Sequence, residues 1–252
     1  MNQDAPTPTS SILPDAQMMD TAAELPVLDR DGKSHPFRDI YQGSSVGQNV
    51  MFFLIRHFFC PGCQAYIAQV AKSIKSEELA ALPTSTSIVL IGCGAPELID
   101  FYAQVTGWPY PIYTDPTNKL QEALGCKRNI AQISTPGTYI QKSVPSMFLQ
   151  SVGQLVSQVF KTYQFHYPGD GRVNGGEFFF QPIPNDKSDN AESGKHPQKQ
   201  ITWCNIMKGG GDHAELPELR EILGLSPPDR LDGVSSEAWA KVLTEWKGTR
   251  RI

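Results

Sequence analysis

The chain has 252 residues, 40% of them hydrophobic, which is enough for one large domain or two small ones with a real core. A net charge of −4 implies no basic surface and argues against nucleic acid as a partner. The densest apolar run, Val50 to Ile55, falls well short of the roughly 20 residues a membrane helix needs, so no membrane partner is expected.

Residues 1 to about 22 read as a flexible tail, because Pro, Thr, Ser and Asp dominate and no apolar period appears. The opening residues lack the basic start and apolar stretch of a secretory signal. Five cysteines at irregular spacing then suit reduced thiols rather than a disulfide framework, and a cytoplasmic location is expected. Leu25 to Tyr41 reads as a short strand or hairpin turning at Asp31-Gly32. Val50-Met51-Phe52-Phe53-Leu54-Ile55 is unbroken and apolar, as expected of a strand covered on both faces. A helix should follow at once, with Cys60 at its N-cap, Pro61 at the first helical position, and Ala65, Ala68, Ala71 and Ile74 on one face.

Ile88 to Ile91 predicts a second buried strand, closed by Gly92-Cys93-Gly94. Pro96 opens a further helix and Gly107 ends it. Tyr110 to Tyr113 is a short strand, where Pro111 marks an edge or a strand end. Asp115-Pro116 caps a helix that stops at Gly125, and residues 126–138 form a loop. Apolar residues from Tyr139 to Phe160 fall at a helical period, which predicts a helical insertion; the competing reading makes Val144-Pro145 a cis-proline before a strand. Gly175 to Phe180 and Ile201 to Cys204 are strands separated by a polar, aperiodic insertion over 182–199, expected to be mobile. Helices near Pro217–Leu223 and Ser236–Trp246 complete the chain.

This alternation argues an α/β fold, a mixed sheet with helices on both faces and an antiparallel final edge. The layout resembles the thioredoxin fold with an N-terminal extension and a helical insertion. The expected organisation is a tail over 1–22, one thioredoxin-like domain over 23–225 and a C-terminal helical extension over 226–252.

The chemistry centres on Cys60-Pro61-Gly62-Cys63. A thiol attacks as the thiolate, so a working cysteine needs something that stabilises negative charge. Cys60 has a helix N-terminus with its unpaired N–H groups, Arg56 and His57 shortly before it, and Cys63 one helical turn away. A Cys-x-x-Cys at a strand-to-helix junction reads as a redox motif. Inert packing and half of a zinc site are the competing readings, but zinc needs four ligands, and Cys93, Cys126 and Cys204 are single. The redox reading has Cys60 reduce a peroxide or a disulfide, with Cys63 resolving the oxidised intermediate. No cofactor or metal is implied. Arg56 and His57 would point to opposite sides if the strand persisted that far, so both need not serve.

The run from Phe52 to Cys63 resembles the peroxiredoxin-like 2 family of AhpC/TSA antioxidant-domain proteins, with fungal and plant members of the AAED type most similar. Further points of likeness are Ile91-Gly92-Cys93-Gly94, Asp115-Pro116, Gly175-Gly176-Glu177-Phe178, Trp203-Cys204 and Asp212-His213-Ala214-Glu215-Leu216-Pro217, together spanning about residues 25 to 225. The resemblance implies an AhpC/TSA-type thioredoxin fold, a thiol peroxidase or thiol–disulfide oxidoreductase, a peroxidatic role for Cys60, and thioredoxin or glutathione as reductant. The chain departs from peroxiredoxins where they carry a Pro and a Thr ahead of that cysteine: Phe53 and His57 stand there. The hydroxyl that would hold a peroxide oxygen is therefore missing, and Arg56 or Arg128 is the candidate cationic donor. Asn205 stands where the family resemblance leads one to expect a His.

Other functions stay open at this stage: a thioredoxin-like redox sensor or adaptor whose cysteine pair switches partner binding, or a fold reused as an oxidoreductase in fungal specialised-metabolite biosynthesis. Asp212-His213 invites a Cys-His-Asp reading, against which helix capping by Asp212 is preferred. Cys93, Cys126 and Cys204 read as core residues.

Overall fold

A computed structural model describes residues 12–128, 167, 169–184, 198–209 and 211–226. The expected helix over 139–160, its competing cis-proline reading at Val144-Pro145, most of the 182–199 insertion and the C-terminal extension lie outside the described residues.

The expected tail is corrected at its end: α1 spans Ala16–Ala23. The Asp15 carboxylate accepts from the Met18 amide at 2.8 Å, which caps the helix and satisfies one of its unpaired N–H groups. Ala22 and Ala23 are buried at its far end. The predicted hairpin follows as β1 (Pro26–Leu28) and β2 (Ser34–Pro36), antiparallel, with the Asp29 carboxylate accepting from the Asp31 and Lys33 amides in the turn. α2 (Phe37–Gln42) is a helix the strand reading of this stretch did not expect.

β3 (Asn49–Leu54) is buried on both faces. Alternate side chains serve two cores: Met51 and Phe53 face one, Val50, Phe52 and Leu54 the other. α3 (Pro61–Ser73), the short α4 (Ser76–Ala80), β4 (Thr86–Gly92), α5 (Leu98–Thr106), β5 (Ile112–Thr114) and α6 (Lys119–Ala123) follow. The chain then returns through β6 (Gly176–Pro182), β7 (Lys199–Ile206) and α7 (Leu216–Ile222).

The seven strands form one sheet in the order β2-β1-β5-β4-β3-β6-β7. β3, β4 and β5 are parallel, whereas β6 pairs antiparallel with both β3 and β7, the antiparallel final edge that was expected. α3, α5 and α7 bury Ile67, Phe101 and Leu219 against one face. α1, α2 and α6 bury Ala22, Phe37 and Leu120 against the other. The fold is thioredoxin-like α/β. Among the described residues, no helix is long and apolar enough to cross a membrane. The carboxyl ends of β3 and β4 lie side by side, and the turn that carries Cys60 leaves from this edge.

Candidate active site

Hydrogen bonding to β4 carries β3 to its end, where the Ile55 amide still donates to Ile91. The chain then turns: the Phe58 amide donates to the Cys93 carbonyl and the Cys60 amide to the His57 carbonyl. Gln64 Nε2 donates to the Phe58 carbonyl at 2.7 Å, which fixes the turn from within the helix. Cys60 is the N-cap of α3 and Pro61 its first residue, so the predicted start of this helix is observed.

The Cys63 amide donates to Cys60 Sγ at 3.5 Å, and the Cys63 thiol donates to the same sulfur across 2.9 Å. Both thiols are free and buried, Cys60 at 4% exposure and Cys63 at 0%. Arg56 Nη1 lies 3.9 Å from Cys60 Sγ, and its Nη2 donates to the Gly171 carbonyl. Because β3 ends at Leu54, Arg56 and His57 are released from strand alternation, and both act electrostatically on Cys60. Arg56 Nε and His57 Nδ1 are buried with no hydrogen-bond partner among the described residues.

These donors lower the Cys60 pKa from a thiol's ordinary 9.0 to about 5. The hydrogen bond from the Cys63 thiol is the largest cause, followed among the favourable ones by the Cys63 amide, His57 and Arg56; burial opposes them. Cys63 is pushed the other way, by its complete burial and by the adjacent Cys60 sulfur. Burial lowers the His57 pKa, while the neighbouring Cys60 charge opposes that shift. Tyr102 of α5 also feels both sulfurs; burial and their charge raise its pKa. The arrangement holds one thiolate and one protonated thiol in contact, the starting condition for dithiol chemistry.

The segment that receives Arg56 is distant in sequence. Gly169 and Gly171 close over His57: a β-carbon at Gly169 would stand 2.8 Å from His57 Cβ, and one at Gly171 would stand 3.0 Å from its Nε2. Between them, the Asp170 amide donates to Cys93 Sγ at 3.4 Å, and its carboxylate pairs with Arg128 at 2.8 Å. Arg128 is therefore engaged with Asp170 and Glu122, and of the two candidate donors only Arg56 reaches Cys60.

The other cysteines are buried structural thiols. Burial raises Cys93 and Cys204 to about 11 and pushes Cys126 up further. Asp212 does not cap a helix, contrary to expectation: its carboxylate accepts from the Lys208 amide, and the N-cap of α7 is Glu215. His213 instead joins a buried group that sequence reasoning missed. Its Nδ1 lies 2.9 Å from Glu177 Oε1, while Asn205 Nδ2 donates to Glu177 Oε2 at 2.8 Å. The His213 ring stacks on Tyr66 of α3 with centroids 4.0 Å apart. A lone carboxylate before the apolar run Phe178 to Phe180 was the available signal, and the unexpected Asn205 is its partner.

An AhpC/TSA antioxidant enzyme family model matches residues 71–184, a span that begins inside α3 and leaves the Cys60 turn outside it. Peroxiredoxin-like 2C of Mus musculus is 29% identical over 225 residues, covering 88% of this chain and 88% of the mouse protein. Peroxiredoxin-like 2C of Takifugu rubripes is 26% identical over 201 residues, with 79% and 78% covered. Among solved structures, peroxidoxin BcpB from Mycobacterium tuberculosis matches with TM-score 0.46 and 15% identity over 81% of this chain and 92% of that one. A mutant peroxiredoxin 6 of Arenicola marina matches with TM-score 0.47 and 13% identity over 93% and 89%.

Proposed function

We propose that this chain is a peroxiredoxin-like AhpC/TSA protein and a thiol-dependent oxidoreductase that reduces a peroxide or a disulfide through Cys60. The observation that carries this reading is the 2.9 Å contact between a Cys60 sulfur poised as thiolate and a Cys63 sulfur held as thiol.

With a hydroperoxide, the Cys60 thiolate attacks the terminal oxygen. An S–O bond forms, the O–O bond breaks, and the leaving alkoxide takes up a proton to give the alcohol. Sulfur loses two electrons and becomes a sulfenic acid. Cys63 then attacks that sulfur as its thiol proton leaves, and the hydroxyl departs as water, giving a Cys60–Cys63 disulfide. With a disulfide substrate, Cys60 forms a mixed disulfide and Cys63 displaces the second thiol. In both cases an external dithiol, thioredoxin, or two equivalents of glutathione returns the two electrons. Arg56 stabilises the thiolate, and His57 adds a polar group beside it. Such a dithiol, with three further free cysteines, suits a reducing compartment such as the cytoplasm.

His57 occupies the place where a peroxidase would present a hydroxyl, so the disulfide substrate has its own support. Mass spectrometry after one equivalent of peroxide tests the assignment. The Cys63→Ser variant should accumulate a sulfenic acid on Cys60, and the unaltered chain should show a Cys60–Cys63 disulfide. Oxidation confined to other cysteines would refute it. Turnover on hydroperoxide against turnover on a small disulfide, both with thioredoxin, distinguishes the substrates.

A further inference from the structure

Arg56 reaches the Cys60 sulfur with one nitrogen while its other terminal nitrogen is held by the Gly171 carbonyl. The position of that carbonyl is not set by the Cys60 turn. It belongs to a short turn organised by Asp170, through four separate contacts. The Asp170 amide donates to Cys93 Sγ at 3.4 Å, and its carbonyl accepts from Asn118 Nδ2 at 3.1 Å. One carboxylate oxygen accepts from the Arg172 amide at 3.0 Å, and the other pairs with Arg128 at 2.8 Å. Arg128 is braced from behind by Glu122 of α6, at 2.6 Å. The same turn walls in His57, against which neither Gly169 nor Gly171 leaves room for a β-carbon. A chain of direct contacts thus leads from a partly exposed ion pair to both polar side chains beside the reactive sulfur.

We propose that Asp170 is a positioning residue for the Cys60 thiolate, holding Arg56 and His57 in place through the Gly171 turn, with Arg128 as its outer clamp. The inference rests on the reading of Cys60 as the reactive thiol. Asp170 makes no contact with the sulfur. Its own charge raises the His57 pKa, a small influence beside the placement of the Arg56 guanidinium. Loss of the Asp170 carboxylate frees the turn, the Gly171 carbonyl withdraws, and Arg56 trades its contact with sulfur for solvent.

The test is the pH profile of iodoacetamide alkylation of Cys60 in the full reduced chain, followed residue by residue by mass spectrometry. The titratable groups facing Cys60 among the described residues are Cys63 of α3, Arg56 and His57 of the preceding turn, and Tyr102 of α5. Asp170→Ala should move the Cys60 midpoint upward by about one unit, which is about tenfold slower alkylation at pH values below the midpoint. Arg128→Met, an exposed change, should move it the same way by less. In an Arg56→Met, His57→Ala background, adding Asp170→Ala should move nothing further, since the residues it positions are gone. A general loosening of the fold would not produce that cancellation.

An unchanged midpoint in folded Asp170→Ala overturns the proposal, as does an equal shift in the double-variant background. Should Asp170→Ala fail to fold, Arg128→Met decides, and an unmoved midpoint there counts against the proposal. If the unaltered chain shows no low-pH alkylation at Cys60, the functional reading itself fails, a result separate from failure of the Asp170 variants alone.

Discussion

Replacing Cys63 by alanine should raise the Cys60 pKa more than any helix-terminus argument would suggest. An anion at a helix start gains up to about 2 kcal/mol when partly buried. At about 1.4 kcal/mol per unit, that is a lowering of roughly one unit. The structure supplies more, bringing Cys60 from 9.0 to about 5, and the Cys63 thiol is the first cause. A hydrogen bond to a charged acceptor is worth about 1.5–3 kcal/mol. Its removal by Cys63→Ala should therefore raise the Cys60 midpoint by about 1–2 units. The Cys63 amide, His57 and Arg56 stay in place, so the midpoint should still lie below 9.0. Cys63→Ser keeps a donor at that position and should move the midpoint by less. Thiolate absorbance near 240 nm against pH, checked by alkylation kinetics, reads both variants. A midpoint unmoved in Cys63→Ala would refute the reasoning, and so would a midpoint above 8 in the unaltered protein.

Other parts of the molecule give independent expectations. Cys60→Ser should abolish alkylation by iodoacetamide at pH 6, because burial raises the pKa of each of the other four thiols. Lys199 is 8% exposed, donates to the Tyr41 and Gly47 carbonyls, and is lowered from 10.5 to about 8 by burial. The unfolded chain binds this proton more tightly, so below about pH 8 the cost of burying the charge is carried in full, and stability recovers as pH rises from about 8 to 10.5. Denaturant unfolding of the unaltered chain minus that of Lys199→Met should show a rise of up to about 3 kcal/mol across that window, and a flat difference would contradict it. His213→Ala leaves the Glu177 carboxylate without its imidazole at 1% side-chain exposure. Leaving that buried group short of one hydrogen bond should cost about 1–3 kcal/mol, seen as a lowered Tm. A β-carbon at Gly175 would fall 1.9 Å from the Leu54 carbonyl oxygen, so Gly175→Ala should destabilise by more than the usual 1–3 kcal/mol of overpacking or fail to fold.

What the sequence disclosed follows the range of the interactions involved. The strand–turn–helix around Cys60 was legible because each signal is local: six apolar residues, a capping position, a proline at the first helical place. The antiparallel edge was legible because the polar sequence over 182–199 has no apolar period that would call for a crossover helix. α1 was not, because prolines and hydroxyl residues before it dominate the composition, while its helix is decided by the Asp15 cap and by burial of Ala22 and Ala23. The partner of Arg56 is 115 residues away, beyond any periodicity or spacing rule. His57 was ambiguous for a different reason: its direction depends on where β3 stops, and strand ends are set by tertiary hydrogen bonds.

The five cysteines act as an internal control on what lowers the pKa of one of them. All are buried, so burial alone predicts five inert thiols. Cys93 even accepts a backbone amide, from Asp170, at 3.4 Å, about the distance at which Cys60 accepts one from Cys63. Yet Cys93 rises to about 11 while Cys60 falls to about 5. A single backbone N–H is therefore insufficient. What differs is the remaining company: Cys93 has the carboxylates of Asp115 and Asp170 nearby, whereas Cys60 has a second thiol, a guanidinium and an imidazole. Those three come from two places in the chain, one helical turn ahead of Cys60 and the stretch just behind it. The spacing of Cys63 is fixed by the helix, but Arg56 and His57 are useful only because β3 ends early and a distant turn receives them. The lowered pKa of Cys60 is thus a property of the junction between β3, α3 and the Gly169–Gly171 turn. A Cys-x-x-Cys transplanted without that turn should keep the thiol donor, lose the cationic one, and titrate between the two extremes.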